Sequence, residues 1–442
     1  MRPAAPVRPG AALAALLFVT LATVATAAPA ALPGAPAQTR AQARIEPRAD
    51  APPEAPAEAR PEARSEVRPR IRDLGVAPGV LEPGPRNTIT DVAGVRVGHR
   101  TVIEGSSIRT GVTAILPHGG DLFREKVPAA VFVGNGFGKA AGFLQVDELG
   151  TLETPIVLTN TLAVGTAVRT VVAWTLEQPG HENVRSVNAV VGETNDGLLN
   201  DIRSLPIRPE HVRAAIQAAA RSPEGAPVAE GSVGAGTGTR ALGWKGGIGT
   251  ASRRLPAELS GGGAGWTVGA LVQSNFGGVL RIDGVPVGEL LGRYSFRDVL
   301  EGEGADAADA AGRGESSGDG SCMIVLATDA PLDARNLGRL ARRAVLALGR
   351  VGSFMSNGSG DFVVAFSTAN RVPERSDGPV RELTTVRNDA VSPLFLAAVE
   401  AVEEAVYNSL TRAETVTGHR GRAEAIPVDR LREVLDEHRV RK

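Results

Sequence analysis

The chain has 442 residues, 43% of them hydrophobic, a formal net charge of -1 and a single cysteine. That is enough apolar mass for a large core, it excludes bulk attraction to nucleic acid or an anionic membrane, and one cysteine excludes an intrachain disulfide. The 53 glycines against 4% aromatics predict many tight turns and close backbone contacts in an Ala/Val/Gly-rich fold.

Arg2 and Arg8 precede the apolar run "AALAALLFVTLATVATA", which closes on the small residues Ala25-Thr26-Ala27. This is the three-part pattern of a secretory signal peptide over residues 1–27, and it predicts a periplasmic or secreted protein. The run is short for a span of about 30 Å of hydrocarbon, although an uncleaved anchor is the alternative. Residues 28–72 are rich in Pro, Ala, Arg and Glu without apolar periodicity, so they read as a disordered tether.

Short β-branched runs then recur: "GVRVGHRTVI", "GVTAILP", "AAVFVGNG", "PIVLTN", "NAVVGET", "TVGALVQSNFG", "CMIVLATD" and "FVVAFST". Between them, residues 162–178, 208–222, 333–353 and 391–413 carry apolar residues at helical spacing, with Asp333 and Asp389 as candidate N-caps of the last two. The mixture predicts a layered α/β or α+β domain. "GSVGAGTGTRALGWKGGIGTASR" (231–253) lacks both Gly-Lys-Ser/Thr and G-x-G-x-x-G, so it reads as a loop lining a cleft and not as a nucleotide site. His99, His118, His181, His211, His419 and His438 show no metal-ligand spacing, and neither a metal nor a cofactor is expected.

The acidic low-complexity stretch 301–320 runs straight into the apolar strand that starts "SCMIVLATD". A cut between Gly320 and Ser321 gives a serine that carries its own base, because an α-amine with a pKa of about 7.7 to 8.0 is far more often neutral than a lysine. Taken alone, a serine after Gly-Asp-Gly is most often just a loop residue. In "NGSGDFVVAFST", Ser359 and Asp361 occupy alternate positions at the start of another strand, where a hairpin turn is the plainer reading. In "VQSNFGG", Asn275 ends a β run, placed either as a turn residue or as an amide donor to an oxyanion. Cys322 follows the candidate nucleophile and should face the opposite way, buried.

The motifs "NTITDVAGVRVGH", "VVGETNDGLLNDIR", "LVQSNFG", "GDGSCMIVLATDAPL", "RLARRAVLALGRVGS", "NGSGDFVVAFSTAN" and "AIPVDRL" stand in the order found in DmpA-type aminopeptidases. Over residues 75–437 the chain resembles this L-aminopeptidase/D-esterase and β-peptidyl aminopeptidase family. The resemblance implies an αββα sandwich similar to N-terminal nucleophile hydrolases but differently connected. It further implies a precursor that cuts itself before Ser321 into a larger chain (73–320) and a smaller chain (321–442) that stay associated, commonly within a homo-oligomer. By the same resemblance Ser321 is the nucleophile, Gly320 ends the larger chain, Ser359 and Asp361 support the nucleophile, and Asn275 serves the oxyanion. Asp361 is then expected to pair with the ammonium of the substrate. In some members of the family a tyrosine near "ETNDG" is expected to contribute to the oxyanion region, where this chain has Leu198 and Leu199; its tyrosines are Tyr294 and Tyr407.

The function that follows is an exported serine aminopeptidase or amidase acting on short peptides, amides or esters through an acyl-enzyme. The alternatives are an acyltransferase of the ornithine acetyltransferase type, where threonine is the nucleophile, and a non-catalytic binding module on the same scaffold. Serine at 321 favours hydrolysis, and the presence of all four site residues favours catalysis.

Overall fold

The computed structural model describes residues 67–260, 265–302, 320–375 and 378–438. The expected signal peptide, most of the tether and residues 303–319 of the acidic linker lie outside the described residues. The tether expected through residue 72 already gives way to ordered chain at Val67. Arg68 donates Nε to the Thr411 carbonyl at 2.9 Å and Nη2 to that of Ile426 at 2.6 Å. Ile71 is fully buried at the start of a 3-10 turn, Ile71–Leu74, an apolar pair masked in sequence by flanking arginines.

Among the described residues, nine principal strands and six principal helices carry the fold. In chain order the strands are β1 (Arg96–Glu104), β2 (Ile108–Leu116), β3 (Glu125–Gly136), β4 (Ile156–Asn160), β5 (Val190–Thr194), β6 (Gly247–Arg254), β7 (Thr267–Asn275), β8 (Ser321–Thr328) and β9 (Gly360–Ser367). The helices are α1 (Phe143–Leu149), α2 (Val164–Leu176), α3 (Pro209–Arg221), α4 (Ala334–Arg350), α5 (Ser392–Thr411) and α6 (Val428–His438). A four-stranded sheet runs β1-β2-β4-β5. A seven-stranded sheet runs from the short strand Val372–Pro373 through β3-β9-β8-β7-β6, with Thr151–Leu152 pairing β3 as well. The pair β8 and β9 is parallel, and the strands that flank it, β7 and β3, run antiparallel to it.

Three buried apolar clusters separate four layers. Val112, Ala114, Val157 and Val191 of the small sheet pack with Ala167, Val171, Val212 and Ile216 of α2 and α3. Ile115, Ile156 and Val190 of the small sheet meet Leu271, Met323, Val325 and Val364 of the large one. Cys322, Ile324, Leu326 and Val363 pack with Leu337, Leu340, Ala398 and Val402 of α4 and α5. The order is therefore helices, sheet, sheet, helices, the expected αββα sandwich. Strand β8 is buried on both faces, which is why its sequence is an unbroken apolar run without alternation.

All four expected helices form, each ending within three residues of its expected limits. Asp333 caps α4, its side chain accepting from Asn336 N at 2.8 Å. Asp389 does not cap α5: it lies in the 3-10 turn Asn388–Ala390 and meets Arg387 at 3.7 Å, while α5 opens on Pro393 in its first turn. Helices α1 and α6 and strand β6 were not expected. The stretch 231–253 proves to be half cleft loop and half strand, because Gly247–Arg254 lies flat under α5. A Cβ at Gly249 would stand 1.9 Å from the Ala405 carbonyl of that helix, so backbone meets backbone there and only glycine fits.

Candidate active site

The ends of β7, β8 and β9 lie side by side at one edge of the sandwich. Asn275, last in β7, pairs with Ser321, first in β8, and Ser321 pairs in turn with Gly360, first in β9. Opposite them is the end of β5 with Glu193. Gln273 ties the two sheets together at this level, its Nε2 donating to Thr194 Oγ1 at 2.8 Å and to the Ala235 carbonyl at 3.0 Å. The sheets diverge beyond it into an open cleft of about 900 Å³, lined among others by Ser321, Asn275, Glu193, Leu198, Arg240 and Tyr294. That volume suits a short peptide.

In the uncut chain the Gly320 carbonyl is held by a hydrogen bond from the next strand. Gly360 N donates to the Gly320 carbonyl at 3.0 Å and lies 3.3 Å from Ser321 Oγ, so a single N–H addresses both the carbonyl and the hydroxyl. A Cβ on residue 320 would come 2.0 Å from the Asn275 carbonyl, which makes glycine obligatory before the serine. Asn275 is oriented by Arg240 N, which donates to its Oδ1 at 2.9 Å. With the oxygen committed to the backbone, the amide NH₂ is the end left to donate into the cleft.

Ser359 and Asp361 sit behind Ser321 and do not line the cleft. Asp361 is in register with Cys322, so its side chain shares the helix-facing side of the sheet with that residue. Ser359 Oγ and both Asp361 carboxylate oxygens are buried without a hydrogen-bond partner. Burial raises the Asp361 carboxyl to about 6; the nearby Ser359 hydroxyl pulls it down, although not at hydrogen-bonding geometry. The buried position of Asp361 removes it from the path of a substrate ammonium. Among the described residues, the carboxylates lining the cleft are Asp201 and Glu193; Glu193, 2% exposed, accepts from Lys139 N at 2.9 Å, with its pKa raised by burial and countered by Lys139. Sequence reasoning passed over Glu193, yet a glutamate at the end of an otherwise apolar strand, "NAVVGET", is the signal that marks it.

Cys322 is a buried free thiol, pushed further up by burial and by the Asp361 charge, which suits core packing and not nucleophilic attack. Leu198 lines the cleft, Leu199 is fully buried, and Tyr407 is sealed in α5 against Glu403. Tyr294 stands on the cleft wall and donates its hydroxyl to Glu301 at 2.9 Å. Among the described residues, no group of three or more His, Cys, Asp or Glu side chains is placed to hold a metal.

A serine at a strand start, a glycine before it and an asparagine across from it make a layout that can be compared directly with known proteins. The sequence profile described as Peptidase family S58 matches residues 87–424. The chain belongs to peptidase family S58. It is 43% identical over 382 residues to the β-peptidyl aminopeptidase BapA of Sphingosinicella microcystinivorans, covering 83% of this chain and 92% of that one. Among solved structures, a β-aminopeptidase of a Burkholderia species superposes with a TM-score of 0.73 at 42% identity, covering 84% of this chain and all of that one (100%). The L-aminopeptidase D-Ala-esterase/amidase of Ochrobactrum anthropi, described as a variant of the Ntn hydrolase fold, gives a TM-score of 0.73 at 38% identity, covering 84% of this chain and 99% of the other. This S58 chain is accordingly a hydrolase, an aminopeptidase on an N-terminal nucleophile type of fold.

Proposed function

We propose that the chain is an exported, self-processing serine aminopeptidase or amidase that releases N-terminal residues from short peptides, amides or esters. The carrying observation is the shared Gly360 N–H, 3.0 Å from the Gly320 carbonyl oxygen and 3.3 Å from Ser321 Oγ. In processing, Ser321 Oγ adds to the Gly320 carbonyl carbon, the C–N bond breaks with the hydroxyl proton passing to nitrogen, and water hydrolyses the resulting ester. The products are a carboxylate on Gly320 and a free α-amine on Ser321.

In turnover, that amine takes the Oγ proton as Ser321 attacks the substrate carbonyl and then gives it to the leaving amine. Asn275 Nδ2 donates to the oxyanion, and water releases the acyl-enzyme. Ser359 and the unpartnered Asp361 carboxylate are the polar groups behind the nucleophile that would accommodate its new ammonium. Glu193 holds the ammonium of the substrate, which confines attack to N-terminal residues. The relatives at 42% and 43% identity are named for β-amino substrates, and on that ground β-amino acid amides belong among the substrates.

Export rests on the Arg2/Arg8 flank and the apolar run before Ala27. The larger and smaller chains stay together, within a homo-oligomer as the family resemblance implies. The deciding experiment is the intact mass of purified protein under denaturing conditions, with N-terminal sequencing. Two chains are expected, one beginning Ser-Cys-Met-Ile, and Ser321→Ala should give one inactive chain. An active protein that stays in one piece would overturn the reading.

A further inference from the structure

Lys245 is fully buried, outside the cleft lining, and idle in the reaction described above. Its ammonium donates to two carbonyls, those of Gly236 and Gly246, each at 2.8 Å. These carbonyls flank one turn of chain, and Gly246 N closes the same turn on the Thr239 carbonyl at 3.1 Å. Inside the turn, Arg240 pairs with Lys245 across a two-residue ladder. Arg240 N is the group that holds Asn275 Oδ1, and Leu242 N donates to the Phe276 carbonyl at 2.7 Å. Asp196, 2% exposed, packs against the same turn: a Cβ built at Gly238 would stand 2.8 Å from Asp196 Cβ, and the Asp196 carboxylate accepts from Asn200 Nδ2 at 2.9 Å without closing to an ion pair with Lys245. Burial raises Asp196 and lowers Lys245, and each charge partly offsets the shift of the other.

An ammonium taken out of water costs several kcal/mol unless it is paired and hydrogen-bonded, and an apolar side chain would fill the same space without that cost. We propose that Lys245, with Asp196 as its counter-ion, is a positioning pair for the oxyanion site: it cinches the 236–246 turn so that Arg240 N locks the Asn275 amide with its NH₂ toward Ser321. Without the ammonium, two buried carbonyls lose their donors, the turn relaxes, and the Asn275 amide loses the contact that distinguishes its oxygen from its nitrogen. The inference rests on the reading that Ser321 attacks and Asn275 receives the oxyanion.

The test compares an amino aldehyde, which adds to Ser321 Oγ and forms an oxyanion, with the matching amino alcohol, which cannot. Parent, Lys245→Met and Asp196→Asn proteins are used after intact mass has fixed the processed fraction of each. Lys245→Met should lose about tenfold to a hundredfold in aldehyde affinity while holding the alcohol as the parent does, somewhat less than the cost of deleting an oxyanion donor outright. Its kcat should fall by a similar factor at unchanged KM. Asp196→Asn should shift the aldehyde-to-alcohol ratio the same way by a smaller factor, and it decides the matter if Lys245→Met does not fold. A variant that keeps the parental ratio, or that loses both ligands equally, overturns the positioning role. A parent that binds the two ligands equally overturns instead the Ser321 and Asn275 reading beneath it.

Discussion

Under α5, Arg253 gives Nε to Glu400 at 3.2 Å and Nη2 to Glu404 at 2.8 Å, while behind Ser321 the Ser359 Oγ and both oxygens of Asp361 are buried without a hydrogen-bond partner. The first cluster is closed. Glu404 also receives Arg72 at 2.8 Å and the Asn87 amide, and Glu400 takes the backbone N–H groups of Val80 and Leu81 at 2.9 and 3.0 Å. The second cluster is open, although Asp361 is no more exposed than Arg253. Buried polar groups in a native protein are nearly always satisfied, so an unsatisfied set beside a candidate nucleophile marks a place where stability has been set aside for chemistry.

The largest effect expected from breaking this contrast is at the closed cluster. Arg253→Ala leaves two buried glutamates with too few donors and should cost about 3–5 kcal/mol of stability in urea unfolding. Its kcat per folded molecule should stay near the parental value; a large fall in kcat with intact stability would put Arg253 in the wrong cluster.

The open cluster should show itself through pH in the uncut Ser321→Ala protein. Asp361 has a folded pKa of about 6 against 3.8 for the free group, so the folded state holds its proton more tightly. Its stabilising share is complete below the lower value and is lost as pH rises toward the upper one, a fall of about 3 kcal/mol. Asp361→Asn in the same background should abolish that fall. An unchanged stability profile between pH 4 and 6 would mean that the carboxylate is satisfied after all.

The smallest of the three effects separates Asp361 from Glu193. Glu193→Gln should reduce kcat/KM for a free amino acid p-nitroanilide by about tenfold to a hundredfold, the worth of a charge-assisted hydrogen bond, mainly through KM. The N-acetyl form of the substrate should be poor for both proteins and lose much less. Equal losses on the two substrates would return ammonium recognition to another group.

Helices α2 to α5 and most strands were legible because burial on one or both faces writes a period or an apolar run into the sequence, and Asp333, immediately before the first residue of α4, marked its start. Ser321 stood out as a candidate because low-complexity chain meets a strand there, and the structure starts β8 at that residue. Strand β6 was not: its glycines exist to let α5 lie against the backbone, and glycine in sequence signals a loop. Asp361 was found but its direction was not, since alternation counted along β9 says nothing about which face of the sheet the cleft occupies. Glu193, Lys245 and Asp196 were missed for a shared reason. Each is a charge whose opposite charge lies far along the chain, Lys139 for Glu193 and Asp196 and Lys245 for one another, and no local spacing records such a meeting.

The position of the Gly320–Ser321 bond between β7 and β8 has a consequence for the history of the molecule. Those two strands lie side by side in one sheet, so a cut there changes neither register nor layer order. It does change what unfolding means. The uncut chain can lose its structure and find it again alone, whereas two separated pieces must first meet, so recovery becomes second-order in concentration. The endurance of the finished enzyme would then be governed by how rarely it opens and not by the depth of its equilibrium.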